Sequence, residues 1–469
     1  MHGTTIFTAL ATAVLLLAGG ASVAASPPVS EEAALESLKA AYGRSVVLGD
    51  EADLYRELLA TVLQRVKRSS AATVDLAALA ADATKAIEPL PAGVGEPLTV
   101  FRKAVDAALH AIDPHSRYFD ARTYGHQRGE LSGGFGGLGL EVESSGNAVR
   151  IVAPMAGSPA ARAGLAPGDL IVRVDDQPLS GLPMADAIAR MRGQPGTTVT
   201  LTIQRAGTGD ELTVSLTRDT IRRQALRSSM EGDVLVLRLA VFNDTAMASL
   251  EQAIARATAA GPPRAVVLDM RGNPGGLLRE AVKVADAFLS TGEIVSLRGN
   301  SPARQRAWQA DPGELLSGLP MVVLIDRRSA SASELVADAL QQNGRATVMG
   351  QRSFGKGSVQ TTFPLGENRG AIKLTTAIYH GPSGETVHRI GVSPDIELRD
   401  PTRPESSRAA AVVLPQPAAA APARQAQVQV DASRCAIVAA PDPALSCAVT
   451  YLLAGSIDAF VAKLADIKP

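Results

Sequence analysis

Two short runs in the chain carry residue types that can make and break an acyl bond. The first is Ser329-Ala-Ser-Ala-Ser-Glu334, which follows the apolar stretch Met321 to Ile325, read as a buried strand, and runs into Ser333 to Asn343, whose apolar spacing predicts a helix. A serine at such a junction is exposed, and the unpaired amides of the helix start would be donors for a tetrahedral oxyanion formed on it. Ser and Glu are also ordinary caps at a helix start, and the plain alternative for Ser333 with Glu334 is that they cap the helix and nothing more. The second run is Phe354-Gly-Lys-Gly-Ser-Val-Gln360, where Lys356 stands between two glycines. A lysine can serve as general base only after losing its proton, which burial in an apolar pocket favours by lowering its pKa.

Other reactions find less support. His380 and His388 could be imidazole bases, but no Gly-x-Ser-x-Gly elbow accompanies them. His115, in Asp113-Pro-His-Ser, reads as a structural turn residue. The six histidines are scattered with no His-Glu-x-x-His pair, so no metal site is expected, and no cofactor is implied.

The elements that must hold these runs follow from composition and periodicity. At 469 residues the chain exceeds a single core, and 46% hydrophobic with 20% charged residues is a globular balance. A net charge of -1 supplies no field for a polyanion, and 3% aromatic residues leave no stacking platform, so nucleic acid is not expected as a partner. Residues 25–128 read as a helical N-terminal region, with Leu54, Leu58, Leu59, Val62 and Val66 at helical spacing. From Asp233 onward, strands at Val234–Leu239, Ala265–Met270 and Met321–Ile325 alternate with helices. That rhythm predicts an α/β core, over residues 222–402, with strands buried on both faces.

The first thirty residues contain a short apolar run, Ile6 to Ala18, followed by small residues and Ser22-Val-Ala24, which reads as a secretory signal over residues 1–24. An exported, periplasmic or envelope protein is expected. Residues 403–430 are rich in Ala, Pro and Gln and read as a linker, with a small helical tail at 431–469. Cys435 and Cys447, the two cysteines, either form one local bridge or remain buried thiols.

Glycines cluster from Gly129 to Gly139, and Gly136-Gly-Leu-Gly-Leu140 leaves amides free to hold a carboxylate while a peptide adds a strand beside them. Downstream, Ser158-Pro-Ala-Ala-Arg-Ala-Gly-Leu-Ala-Pro-Gly-Asp-Leu-Ile-Val-Arg-Val174 and Ala185 to Arg192 resemble the helices, turn and strand of a PDZ domain over residues 129–221. The resemblance makes Leu138, Gly139 and Leu140 the carboxylate-binding loop and sets Ala187 and Met191 beside the hydrophobic pocket.

With the strand, Ser-Ala-Ser-Ala-Ser-Glu, helix, strand and Phe-Gly-Lys-Gly-Ser-Val-Gln in this order, the chain resembles the C-terminal processing peptidases, or tail-specific proteases. Asp113-Pro-His-Ser-Arg-Tyr118, Leu268-Asp-Met-Arg-Gly-Asn-Pro-Gly-Gly-Leu277 and Gly391-Val-Ser-Pro-Asp-Ile396 extend the likeness. The resemblance implies Ser331 as nucleophile, Lys356 as base and Gln360 as a hydrogen-bonding assistant to Lys356. It also implies an oxyanion hole from Gly275 or Gly276 with Ala332. Arg192 is similar to a residue that links peptide docking to activation in some members. The family implies protein or peptide substrates and homo-oligomers, with an adaptor of helical repeats for some members. The fold expected is thus α/β multidomain: helical N-terminal region, PDZ domain, α/β protease core and helical tail. The competing reading from another class is a catalytically inert PDZ-containing scaffold of the cell envelope.

Overall fold

The protein is described by a computed structural model covering residues 30–399, 425–435 and 442–465, apart from 132–133, 147, 222–223 and 301–304. The expected signal segment and most of the expected linker lie outside the described residues.

Four helices, Glu31–Ser45, Asp50–Ser69, Leu76–Ile87 and Pro97–His110, form the N-terminal region. Their starts are set by short polar caps: Ser30 accepts from the Ala33 amide, Asp75 from Ala77 and Ala78, and Glu96 from Thr99. Tyr42, Leu59, Leu63 and Phe101 are buried where the helices meet, and Ile372 and Leu374 join the same core from a long protease strand, Ala371–His380. The helical region is therefore packed onto the catalytic unit. The Asp113 to Ser116 turn leads directly into strand Arg117–Phe119, which pairs antiparallel with Ala371–His380.

The PDZ unit is a six-stranded sheet with helices Pro159–Arg162 and Met184–Met191. The chain enters and leaves it side by side, because Phe135–Gly137 pairs antiparallel with Asp219–Ile221.

The protease core is built on a seven-stranded sheet in the order Leu226–Glu231, Val234–Leu239, Ala265–Asp269, Met321–Ile325, Thr347–Gly350, Ile396–Arg399 and Val428–Asp431. All its pairings are parallel except the first. A parallel sheet must be covered on both faces, and alternation along each strand shows how this is done. Val266, Leu268, Val323 and Ile325 pack against the core helices. Val267, Val322 and Leu324 pack against Cys447, Val449 and Phe460 of the tail. The C-terminal segment is thus the second covering layer rather than an appendage. The expected linker also ends earlier than read from composition, since Val428–Asp431 is the seventh strand. Composition misses this because four residues of strand are too few to stand out beside an Ala/Pro-rich stretch.

Candidate active site

The strand Met321–Ile325 delivers the Ser-Ala-Ser-Ala-Ser run to the C-terminal edge of the sheet, and helix Ala332–Gln342 starts one residue after Ser331. The turn is tight enough to force Ser331 to φ +57°, a region that side chains with a β-carbon seldom occupy. Such strain persists only where surrounding contacts hold it.

Glu334 supplies those contacts. Its side chain is fully buried, and each carboxylate oxygen takes two donors. Oε2 accepts from the Ser331 amide at 2.7 Å and the Lys356 amide at 2.8 Å. Oε1 accepts from the Gly355 amide and the Ser353 hydroxyl, both at 2.6 Å. Burial is the larger influence and leaves the Glu334 pKa raised above its ordinary value, although these four donors pull it down. With every lone-pair direction occupied by a donor, the arrangement is built for the carboxylate. Read from sequence as an ordinary cap, Glu334 instead ties the Ser331 turn to the Lys356 loop. The capping position was visible; its reach across the fold was not.

Lys356 is largely buried, which lowers its pKa below the ordinary 10.5. Arg117 adds to the depression, while Glu334 and Asp113 oppose it. No hydrogen bond joins Lys356 Nζ to Ser331 Oγ or to Gln360 among the described residues. The Gln360 amide nitrogen donates instead to the Ser358 hydroxyl at 2.8 Å, the Ser358 carbonyl at 3.2 Å and the Thr375 hydroxyl at 3.4 Å. The implied bond from Gln360 to Lys356 is therefore not made in this state. The register shift between Val359 and Gln360 sets this side chain opposite Thr375 within its own hairpin.

The Asn273-Pro-Gly-Gly276 turn is stitched to the serine run. The Asn273 carbonyl accepts from the Ala330 amide at 3.0 Å and the Ser333 hydroxyl at 3.0 Å. Its side chain donates to Leu239 O and accepts from the Gly275 amide, both at 2.9 Å. The Gly275 N–H is thus taken up by the Asn273 side chain. No described residue accepts from the amides of Gly276 or Ala332. A β-carbon added at Gly275 would stand 2.9 Å from Ala332 N and 2.9 Å from Ser331 Cβ, so only glycine permits this approach. Tyr379, which sequence reading also missed, donates its hydroxyl to the Ser331 carbonyl oxygen.

In the PDZ unit, Leu138, Ala187 and Met191 are buried together, with Leu140 packed against them. Gly139 adopts φ +71°, and an added β-carbon would collide with Ser158 at 2.2 Å. No described residue accepts from the amides of Leu138 or Gly139. Arg192 caps helix Met184–Met191 through its backbone, donating to Ile188 O. A second arginine, Arg218, reaches the same helix end, donating to the carbonyls of Arg190 and Met191 at 3.0 Å each. It sits on the segment leaving the domain, so its partners could be found only in three dimensions.

The tail closes on this site from behind. Cys435 and Cys447 form a disulfide. Asp442, which caps helix Pro443–Ala454, also accepts two hydrogen bonds from Arg271, at 2.9 and 2.6 Å. Arg271 stands two residues before Asn273 and is held by Asp269 as well.

Comparisons with known proteins agree with this arrangement. A sequence profile of peptidase family S41 matches residues 233–398, and a PDZ-domain profile matches residues 150–205. Over 305 residues the chain is 44% identical to a carboxy-terminal-processing protease of Bartonella bacilliformis, covering 64% of this chain and 70% of the relative. Over 306 residues it is 35% identical to a carboxyl-terminal-processing protease of Synechocystis sp., covering 64% and 71%. A solved structure of a photosystem II D1 C-terminal processing protease superposes with a TM-score of 0.50 at 27% identity, covering 80% of this chain and 99% of that one. With the PDZ unit and the parallel-sheet core described above, these likenesses show that the chain belongs to peptidase family S41, as a serine-type C-terminal processing protease with a PDZ domain.

Proposed function

We propose that Ser331 and Lys356 are the catalytic dyad of an exported endopeptidase acting on protein substrates whose C-terminal segments dock in the PDZ groove. The observation that carries the reading is the Glu334 carboxylate, which accepts from the backbone of both residues on one oxygen. Two main-chain segments bonded to a single buried atom have little freedom to drift apart.

In the reaction, neutral Lys356 takes the Ser331 proton as Oγ attacks the scissile carbonyl. The amides of Gly276 and Ala332 receive the oxyanion, since no described residue accepts from either. The lysine then protonates the leaving amine, and water repeats the sequence on the acyl-enzyme with Lys356 as base. Gln360 would support the lysine through its Oε1 once the amine has swung in. Leu138, Gly139 and Leu140 would hold the substrate's terminal carboxylate, Ala187 and Met191 would back its last side chain, and Arg192 would report occupancy. Self-association, with or without a helical-repeat adaptor, fits the same reading.

Because burial depresses the Lys356 pKa, activity rises with pH through a midpoint below its ordinary 10.5. Degradation of an unfolded protein by wild type, Ser331→Ala and Lys356→Ala is the direct test. Loss in both variants with retained peptide binding supports the dyad; equal cleavage by all three removes it. Binding without turnover by wild type would favour the inert scaffold. A profile flat between about pH 6 and pH 10 would argue against a lysine base.

A further inference from the structure

We propose that Ser116 is a positioning residue for the dyad: from the Asp113-Pro-His-Ser turn it pins a one-residue bulge in strand Ala371–His380, and so fixes the phase in which Tyr379 meets both the serine turn and the lysine loop. The inference rests on the Ser/Lys reading above and adds to it the contact that holds the two segments in register.

Tyr379 bonds to both sides at once. Its hydroxyl donates to the Ser331 carbonyl at 3.1 Å, and its N–H donates to the carbonyl of Gly357, the residue after Lys356, at 3.0 Å. Whether it can do so depends on register. Strand Ser358–Pro364 pairs with Ala371–His380 so that Gln360 faces Thr375 but Val359 faces Ala377, which leaves Thr376 as an extra residue on the longer strand. Continued without that residue, the same pairing would set Tyr379 opposite Lys356 instead of Gly357. A slip of one position turns a strand's side chains to the other face of the sheet, and the Tyr379 hydroxyl would leave Ser331.

A bulge interrupts the ladder, and the main-chain groups around it need other partners. On the opposite edge of Ala371–His380, pairing with Arg117–Phe119 runs only as far as Lys373. Two residues on, beside the bulge, the N-terminal region takes over. The Thr375 N–H donates to Ser116 Oγ at 3.1 Å, and the Thr375 carbonyl accepts from the Ala71 amide at 2.9 Å.

Ser116 is itself fully buried and fixed. Its hydroxyl donates to Asp113 Oδ2 at 2.6 Å, which leaves the oxygen's lone pairs to accept from Thr375. Asp113 Oδ1 accepts from the amides of His115 and Ser116 at 2.7 and 2.9 Å, so the turn is closed on the same carboxylate. On the hairpin side, the hydroxyls of Thr361 and Thr376 meet at 2.7 Å, and the Gln360 amide reaches Thr375 Oγ1 at 3.4 Å. The bulge is thus held from both edges, and its hold on the N-terminal side passes through one hydroxyl and one amide. A bond of purely structural use would cost stability when removed and leave the turnover of folded molecules unchanged.

The experiment is steady-state kinetics on a fluorogenic peptide for wild type, Ser116→Ala, Tyr379→Phe and the double variant, with melting curves to establish that each is folded at the assay temperature. In Ser116→Ala we expect kcat to fall several-fold with KM nearly unchanged, as for Tyr379→Phe. Because the two residues act through one bond to the Ser331 carbonyl, the double variant should lose little more than Ser116→Ala alone; independent sites would give losses that multiply. A folded Ser116→Ala with kcat within about twofold of wild type, or losses that multiply, overturns the inference. Should Ser116→Ala fail to fold, Asp113→Asn takes its place in the same cycle, since the amide keeps Oδ1 for its two N–H donors and turns a donor towards the Ser116 hydroxyl. Asp113 also raises the Lys356 pKa, so this variant is compared on the alkaline plateau, where the amine is neutral in both proteins. Ser331→Ala and Lys356→Ala separate the two levels. Their inactivity beside an unimpaired Ser116→Ala rejects only the role of the bulge, whereas their full activity rejects the dyad itself.

Discussion

The Tyr379 hydroxyl donates to the carbonyl oxygen of Ser331 at 3.1 Å, from a side chain buried beneath the Ser331 turn. In a trans peptide the carbonyl and the following N–H point in opposite directions, so holding Ser331 O also aims the Ala332 amide. The same oxygen accepts from the amides of Glu334 and Leu335 at 2.9 and 3.0 Å. Tyr379→Phe therefore leaves that oxygen satisfied and should cost only about 0.5–1.5 kcal/mol of stability. We expect kcat to fall several-fold with KM nearly unchanged; steady-state kinetics beside a melting curve checks the separation.

Asn273→Ala tests the turn that presents Gly276. The substitution leaves the Gly275 N–H and the Leu239 carbonyl without their buried partner. Each such group costs about 1–3 kcal/mol, and displacement of an oxyanion donor costs roughly 10²–10³-fold in kcat. Denaturant unfolding and kcat measured together should show both losses. A normal kcat would mean that this turn does not hold the oxyanion.

Glu334→Gln replaces one acceptor oxygen by an NH2 group that faces two donors. Two unsatisfied buried donors give a destabilisation of about 2–6 kcal/mol. In the fraction that remains folded, labelling of Ser331 by a fluorophosphonate should slow markedly, because the serine turn and the lysine loop lose their common anchor. Labelling at the wild-type rate would show that the anchor is dispensable.

Lys373 makes stability depend on pH with a definite sign. Its folded pKa, about 8, is below the ordinary 10.5, so between these values the unfolded chain binds more protons and stability rises with pH. Below pH 8 the cost is fully present. Lys373→Met should accordingly stabilise the protein at pH 7, by on the order of 3 kcal/mol, and the gain should fade as pH rises towards 10.5. Melting curves at pH 7 and pH 10 measure the difference.

The Cys435–Cys447 disulfide closes a loop with a sequence separation of 12 in the layer that covers the sheet from behind. Loop-closure entropy assigns it about 3 kcal/mol. Reduction should lower Tm and loosen helix Pro443–Ala454 first, seen as faster hydrogen exchange there. Because Asp442 of this segment clasps Arg271 beside the Asn273 turn, activity is expected to decline along with it.

The sequence by itself determined the α/β rhythm of the core, the serine at a strand-to-helix junction and the lysine among glycines, since each is a local pattern of periodicity and small residues; the PDZ unit was legible through its resemblance to a known family. It could not decide which glycine keeps a free amide, because that depends on where the Asn273 side chain bonds. Nor could it decide what Glu334 does, because its partners Ser353, Gly355 and Lys356 stand nineteen to twenty-two positions away and meet it only when the helix and loop close around it. Tyr379 and Arg218 were illegible for the same reason: a hydrogen bond between distant segments is fixed by register and packing, and neither leaves a period in the chain. Tertiary structure also turned an apparent tail into the second face of the sheet. Strands buried on both sides require such a cover, but nothing in their own residues says which later segment will supply it.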